Sequence, residues 1–389
     1  MNKPTIIMAG SLLLASLQGL LAQQKPYTVT ANIKGQGDYK VTLNYHTAKG
    51  AVRDTPQVIN GDQFIFKGNV EGPVLVTVIS GHPASRFEMS KGGMFVPAPR
   101  LEFILTGTSI RIDGDATTLY KATVKGGKEN DELNALKKKT LPLTQKSWEM
   151  KQQSLSHRRP EDSTLRKELM AEMGKTADQT KEVQKQFVAT HPASYVSITL
   201  LTTMYSDYTA AEYEKVFNNL APAYKETFLG KYVAGKVAGT KATELGATAI
   251  NFTKTDNNGQ PFTLSSLKGK YVLLDFWGSW CGPCRASHPH LKELYTEYKG
   301  KGLEIVGIAD EKAGELEQAK GAWLKAIQGD GLPWIQVLNN FGKEKDDLVT
   351  KYAISGFPTK ILLDKDGKII FKIVGAGGTD LDEALKKVF

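Results

Sequence analysis

The sequence predicts a multidomain chain in three blocks: an N-terminal antiparallel β-sandwich, a central α-helical region and a C-terminal α/β domain. Three observations carry this. Apolar and polar residues alternate in short runs from Tyr27 to about Lys125, the period becomes helical between about Gly126 and Lys241, and strand and helix patterns then alternate to the end. The expected divisions are a leader over 1–22, the β domain over 23–125, helices over 126–245 and the α/β domain over 246–389. A length of 389 residues at 41% hydrophobic and 23% charged is enough for the cores of two or three domains.

The leader begins with charged Met1-Asn2-Lys3, runs apolar and small from Ile6 to Leu21, and meets polar Gln23-Gln24 after Ala22. That is the pattern of a secretory signal peptide, so the chain is expected in the periplasm or cell envelope. Gly10, Ser11, Ser16 and Gln18 interrupt the apolar run, and an uncleaved anchor is the alternative. No cysteine follows the segment, which excludes the lipid-modified cysteine of bacterial lipoproteins.

Strands such as Tyr27–Ile33 and Val74–Ile79 alternate cleanly, and Gly35-Gln36-Gly37-Asp38, Asn60-Gly61-Asp62 and Asp113-Gly114-Asp115 supply turns at the spacing of a sandwich. Asp113 and Asp115 read as turn residues in preference to cation ligands. In the helical block, Pro142 and Pro160 are expected to break the first helices, and His191-Pro192 to end a later one. Thr209-Ala210-Ala211-Glu212 forms a capping box. Tyr195, Tyr205, Tyr213 and Phe217 fall at the spacing of a packed core, with the helices joining the two outer domains and covering part of the last one.

The net charge of +9 is scattered, with Lys137-Lys138-Lys139 and Arg158-Arg159 the densest runs and no aromatic interleaving. This excludes nucleic acid as a partner and leaves only a weak attraction to anionic headgroups. The C-terminal block opens with a hairpin around Asn257-Asn258-Gly259 and a strand Tyr271–Phe276. A helix from Cys281 toward Lys299, a strand Leu303–Ala309, an inserted helix near 314–328, and strands Lys360–Leu363 and Ile369–Val374 follow. Trp323 and Trp334 are expected to pack over the sheet.

The chemistry sits in Asp275-Phe276-Trp277-Gly278-Ser279-Trp280-Cys281-Gly282-Pro283-Cys284-Arg285, whose two cysteines are the only ones in the chain. Two thiols cannot build a multi-bridge framework or a four-ligand zinc site, but at this spacing they can open and close one bond at the first turn of a helix. Unpaired amides and the positive dipole end at that turn favour a thiolate, which makes Cys281 the expected nucleophile, with an exposed sulfur, and Cys284 the resolving thiol. Pro283 suits a first helical turn, and Gly282 lets a partner backbone approach.

The segment from about Ala249 to Phe389 resembles the thioredoxin-fold domains of the TlpA/ResA type. Trp280-Cys281-Gly282-Pro283-Cys284 and Gly356-Phe357-Pro358-Thr359 carry the resemblance, together with Asp275 six residues before Cys281. The resemblance implies that Pro358 is cis, that Phe357 and Thr359 beside it meet an extended substrate with Trp280, Gly282 and Pro283, and that Asp275 helps deprotonate Cys284. Ser287 stands where many relatives carry a glutamate, which removes the indication of cytochrome maturation. The β domain resembles the domain of unassigned role that precedes such domains in exported bacterial proteins.

His288, four residues past Cys284, and His290 suggest zinc by type. Pro289 between them falls where thioredoxins kink this helix, so the pair is expected to flank a bend on a partly solvated face, with no metal. Arg285, Ser287 and Trp277 are further candidates for the rim. The expected function is an exported reductase of protein disulfides with no cofactor beyond the Cys281–Cys284 disulfide. Its expected partners are disulfide-bearing clients and a membrane electron donor of thiol type. Two alternatives stay open, a thiol peroxidase and an envelope binding or assembly protein with a redox-sensing dithiol.

Overall fold

A computed structural model of the chain describes residues 24–89, 95–157, 160–313 and 315–389. The expected signal segment and the Arg158-Arg159 run lie outside the described residues. The chain divides into two compact units, one running to Ala135 and including Trp148–Arg166, the other comprising Leu136–Ser147 and Lys167–Phe389.

The first unit is a β-sandwich. One sheet places Thr123–Lys125, Ser109–Asp115, Lys25–Lys34, Gln63–Val70 and Val58–Asn60 side by side, and the other Gly50–Asp54, Val41–Thr47, Val74–Ser80 and Leu101–Leu105. Val29, Ile33, Leu43, Phe64, Phe66, Val76, Phe103 and Ile112 fill the space between them. The alternation read from the sequence is the alternation of inward and outward faces. One expectation fails: the sheet is not wholly antiparallel, because Lys25–Lys34 runs parallel to Ser109–Asp115. Long-range pairing direction leaves no local mark in either strand.

Pro142 does not break its helix either, which runs unbroken from Lys128 to Ser156. Pro142 and Lys138, whose carbonyl loses its intrahelical partner, are both exposed, so water can satisfy that oxygen. The next helix ends at Thr190, just before His191-Pro192, and the capping box at Thr209 and Glu212 forms in both directions.

The second unit contains a five-stranded sheet in the order Ile335–Leu338, Leu303–Ala309, Tyr271–Trp277, Thr359–Leu363, Ile369–Val374. The first three pair in parallel, and Thr359–Leu363 runs antiparallel to both of its neighbours. Tyr271–Trp277 is central and covered on both faces. Val272, Leu274 and Phe276 meet Phe252, Leu267 and Tyr352, while Leu273 and Trp277 face Leu291, Trp323 and both cysteines. Asp275 shares the second face by alternation and so points toward the helix Gly282–Tyr298. The helices from Tyr195 onward pack within this unit. Tyr205 donates to Ile354 O at 2.6 Å, and Lys372 donates to Thr243 Oγ1 at 2.8 Å. Among the described residues, no helix is long and apolar enough to cross a membrane.

Candidate active site

The central strand ends at Trp277, and Cys281 caps the helix that begins at Gly282. Its Sγ accepts the Cys284 amide at 3.2 Å, and the two sulfurs are bonded. The carbonyl of Cys281 accepts the Arg285 amide, so both cysteines belong to one helical turn. Gly278 is required by close approach: a Cβ there would lie 2.5 Å from Trp280 Nε1 and 2.9 Å from the Asp310 carbonyl.

Two segments hold this turn. Glu311, after the strand Leu303–Ala309, accepts the Ser279 amide at 2.8 Å and the Ser279 hydroxyl at 2.6 Å. Beside it, the Asp310 carbonyl accepts Trp280 Nε1 at 2.9 Å, and the Lys312 ammonium lies 3.4 Å from the centroid of the Trp280 ring. The second segment carries the cis bond between Phe357 and Pro358. Phe357 packs against the cluster containing both cysteines, and its ring meets Trp280 edge-on at 5.5 Å.

The structure gathers Trp280, Gly282 and Pro283 on an open lip, with Trp280 39% exposed and nothing within 4 Å of a Cβ on Gly282. Other expectations need correction. Cys281 is only 3% exposed and Cys284 fully covered, since the bond draws the first sulfur onto the buried second one. Thr359 is buried, and its hydroxyl donates back to Gly356 O at 2.7 Å instead of facing outward. Trp277 and Ser287 are not rim residues: Trp277 is buried and donates to Gln336 Oε1, while Ser287 donates to the Cys284 carbonyl. His288 is buried too, against Trp277 and Trp334, and only His290 keeps a partly solvated position, bonded to Asp382. Arg285 does reach the surface, where it forks onto Asp330.

Beneath the dithiol lies a charged pair. Asp275 Oδ1 accepts Lys360 Nζ at 3.1 Å, with both residues essentially without exposure. Lys360 lies directly across from Asp275 in the strand register and also donates to Ser287 Oγ at 3.4 Å, which links the acid to the turn bearing Cys284. Asp330, at the end of the insert helix, accepts from His288 Nδ1 at 2.8 Å. The hydrogen bond from Arg285 leads in holding its carboxyl below the ordinary aspartate range. Lys360, Glu311 and Asp330 were not singled out from sequence. Lys360 left one signal, a lysine opening an apolar strand two residues after Pro358.

Residues 240–387 match the Redoxin family, and residues 27–133 match a domain of unknown function, DUF4369. The thiol-disulfide oxidoreductase ResA of Bacillus thuringiensis (strain Al Hakam) is 34% identical over 155 residues, covering 40% of this chain and 84% of the relative. The chain belongs to the ResA-like thiol-disulfide oxidoreductases of the thioredoxin superfamily. ResA of Bacillus subtilis (strain 168) is 34% identical over 138 residues, 36% of this chain and 72% of that one. A solved thiol-disulfide oxidoreductase from Bacteroides fragilis NCTC 9343 aligns at 33% identity over 36% of this chain and 99% of its own, with a TM-score of 0.32. By the Redoxin match and its likeness to the two ResA relatives this chain is an oxidoreductase, and its family acts with disulfide-bearing substrates and redox partners.

Proposed function

We propose that this chain is an exported reductase of protein disulfides in the cell envelope, working through Cys281 and Cys284. The observation that carries this reading is the position of the chain's only two sulfurs in cysteine. They are joined at a helix N-terminus, where Cys281 Sγ accepts a backbone amide that would equally stabilise a thiolate. In the reduced protein, Cys281 thiolate attacks a client disulfide. A bond forms between Cys281 and one client sulfur, and the other client sulfur leaves with the electron pair. Cys284, its proton taken with the help of Asp275, then attacks Cys281 Sγ, closing the intrachain disulfide and releasing the second client thiolate. The client gains two electrons and the dithiol loses two. A membrane-bound thiol donor restores the dithiol, and no cofactor beyond the disulfide takes part.

Trp280, Gly282, Pro283 and Phe357 form the surface against which a client segment would lie, with Pro358 fixing the turn behind it. The reading is tested by expressing full-length Cys284→Ser in its native envelope. Clients are expected to stay covalently joined to Cys281 and to come free with dithiothreitol. Absence of adducts, together with insulin reduction no faster than background by the unaltered protein, would remove the proposal.

A further inference from the structure

The acid that takes the Cys284 proton can exchange it with solvent only through its neighbours, since Asp275 is 1% exposed. Its two oxygens lead in different directions. Oδ1 accepts Lys360 Nζ, and Lys360, itself unexposed, leads through Ser287 back to the Cys284 carbonyl. Oδ2 faces His288 Nε2 at 4.0 Å, an atom that is buried and has no hydrogen-bond partner among the described residues. The opposite ring nitrogen, Nδ1, lies 2.8 Å from Asp330 Oδ2, and the Asp330 side chain is 14% exposed. Trp277 and Trp334 stand edge-on to the imidazole and shield it from water.

We propose that His288 and Asp330 are the exit for the resolving proton, carrying it from Asp275 to the surface. This rests on the reductase reading above. With Nδ1–H donated to the Asp330 carboxylate, the neutral imidazole presents a bare lone pair on Nε2 toward Asp275. When Cys284 gives its proton to Asp275, the protonated carboxyl passes it to Nε2 while Nδ1 hands its own proton to Asp330, which gives it to solvent, and the reverse transfer restores the starting tautomer when recharging of the dithiol reprotonates Cys284. One proton enters the ring and one leaves, with no change in oxidation state. The gap from Nε2 to Oδ2 must close by about 1 Å to reach hydrogen-bond distance, a tightening ordinary for catalytic contacts.

The charges around the ring fit the task. Asp275 faces it from the central strand with Lys360 behind, and Asp330 from the end of the insert helix. Arg285 holds Asp330 from the ring's own helix, and Lys292 on the same helix donates to the Asp330 carbonyl at 2.8 Å. Arg285 keeps Asp330 anionic, so that carboxylate fixes the tautomer and does not trap the proton. His288 acts through Asp275 and does not touch the sulfurs, which makes it a positioning residue for proton transfer.

The test uses the reduced full-length chain and the disulfide of thionitrobenzoate. The first equivalent of released thiolate reports attack by Cys281 and the second reports closure by Cys284. In His288→Gln, the second phase is expected to slow about tenfold at pH 7, and the deficit to shrink as pH rises and solvent deprotonates Cys284 unaided. The first phase should change less than twofold. Asp330→Asn, which keeps the imidazole and loses its anionic anchor, is expected to show the same pH-dependent deficit, and serves where the glutamine variant fails to fold. A second phase in these variants equal to that of the unaltered chain, or slowed by the same factor at every pH, would overturn the relay. Release of only one equivalent by the unaltered chain would instead overturn the reductase reading itself.

Discussion

Asp275 and Lys360 form one ionic unit held across two strands and buried from bulk solvent. Removing one partner from such a pair leaves the other charge buried and alone, which costs about 3–5 kcal/mol, whereas removing both charges costs far less. Lys360→Met is therefore expected to lower the urea midpoint of the oxidised chain sharply, followed by the fluorescence of the buried Trp277 and Trp334. Adding Asp275→Asn should restore much of the loss. A double variant as unstable as the single one would show that Lys360 contributes by packing alone. The acid was legible only through the family resemblance, because a carboxylate ending an apolar strand is common by itself and Asp275 stood out by its place six residues before Cys281 in that pattern. The lysine was not, since its burial exists only once the two strands pair and bring position 360 opposite 275. His288 was singled out, but on a partly solvated face; its burial escaped for a similar reason, since the ring's partner Asp330 on the insert helix is 42 residues away.

At the scale of elements, the local signals were the readable ones. The capping box at Thr209, the hairpin around Asn257-Asn258-Gly259 and the helix start at Cys281 each depend on a few adjacent residues, and each formed. The helix Phe228–Ala242 shows what local pattern misses, for it buries Lys236 at 2% exposure between the rings of Tyr205 and Tyr232. Burial pushes the ammonium down to about 8, and Lys372 is likewise lowered to about 8 by burial and by Lys236. Because the folded value lies below the unfolded one of about 10.4, the unfolded chain binds more protons between the two. Stability thus rises with pH across that window, and the full penalty stands below it. Lys236→Met is expected to stabilise the chain at pH 7 by on the order of 1–2 kcal/mol after loss of its ring contacts, with the gain shrinking toward pH 10. Urea midpoints at pH 7 and 9.5 check this, and a gain equal at both would assign it to packing.

In the whole molecule, all cysteine chemistry is confined to one helical turn of a 389-residue chain. The order of β, helical and α/β blocks was legible because the hydrophobic period changes where they meet. The parallel pairing in the sandwich and the continuity of the long helix through Pro142 were not, because neither pairing direction nor solvation of a freed carbonyl is written locally. What the account requires of the intact protein is an asymmetry between two sulfurs three residues apart, one primed and one held back. Timed iodoacetamide alkylation of the fully reduced, full-length chain at pH 7, mapped by mass spectrometry, measures it directly. The account predicts that Cys281 is modified about tenfold or more faster than a free thiol while Cys284 stays protected. Modification of Cys281 at the ordinary rate, or of Cys284 first, would contradict it.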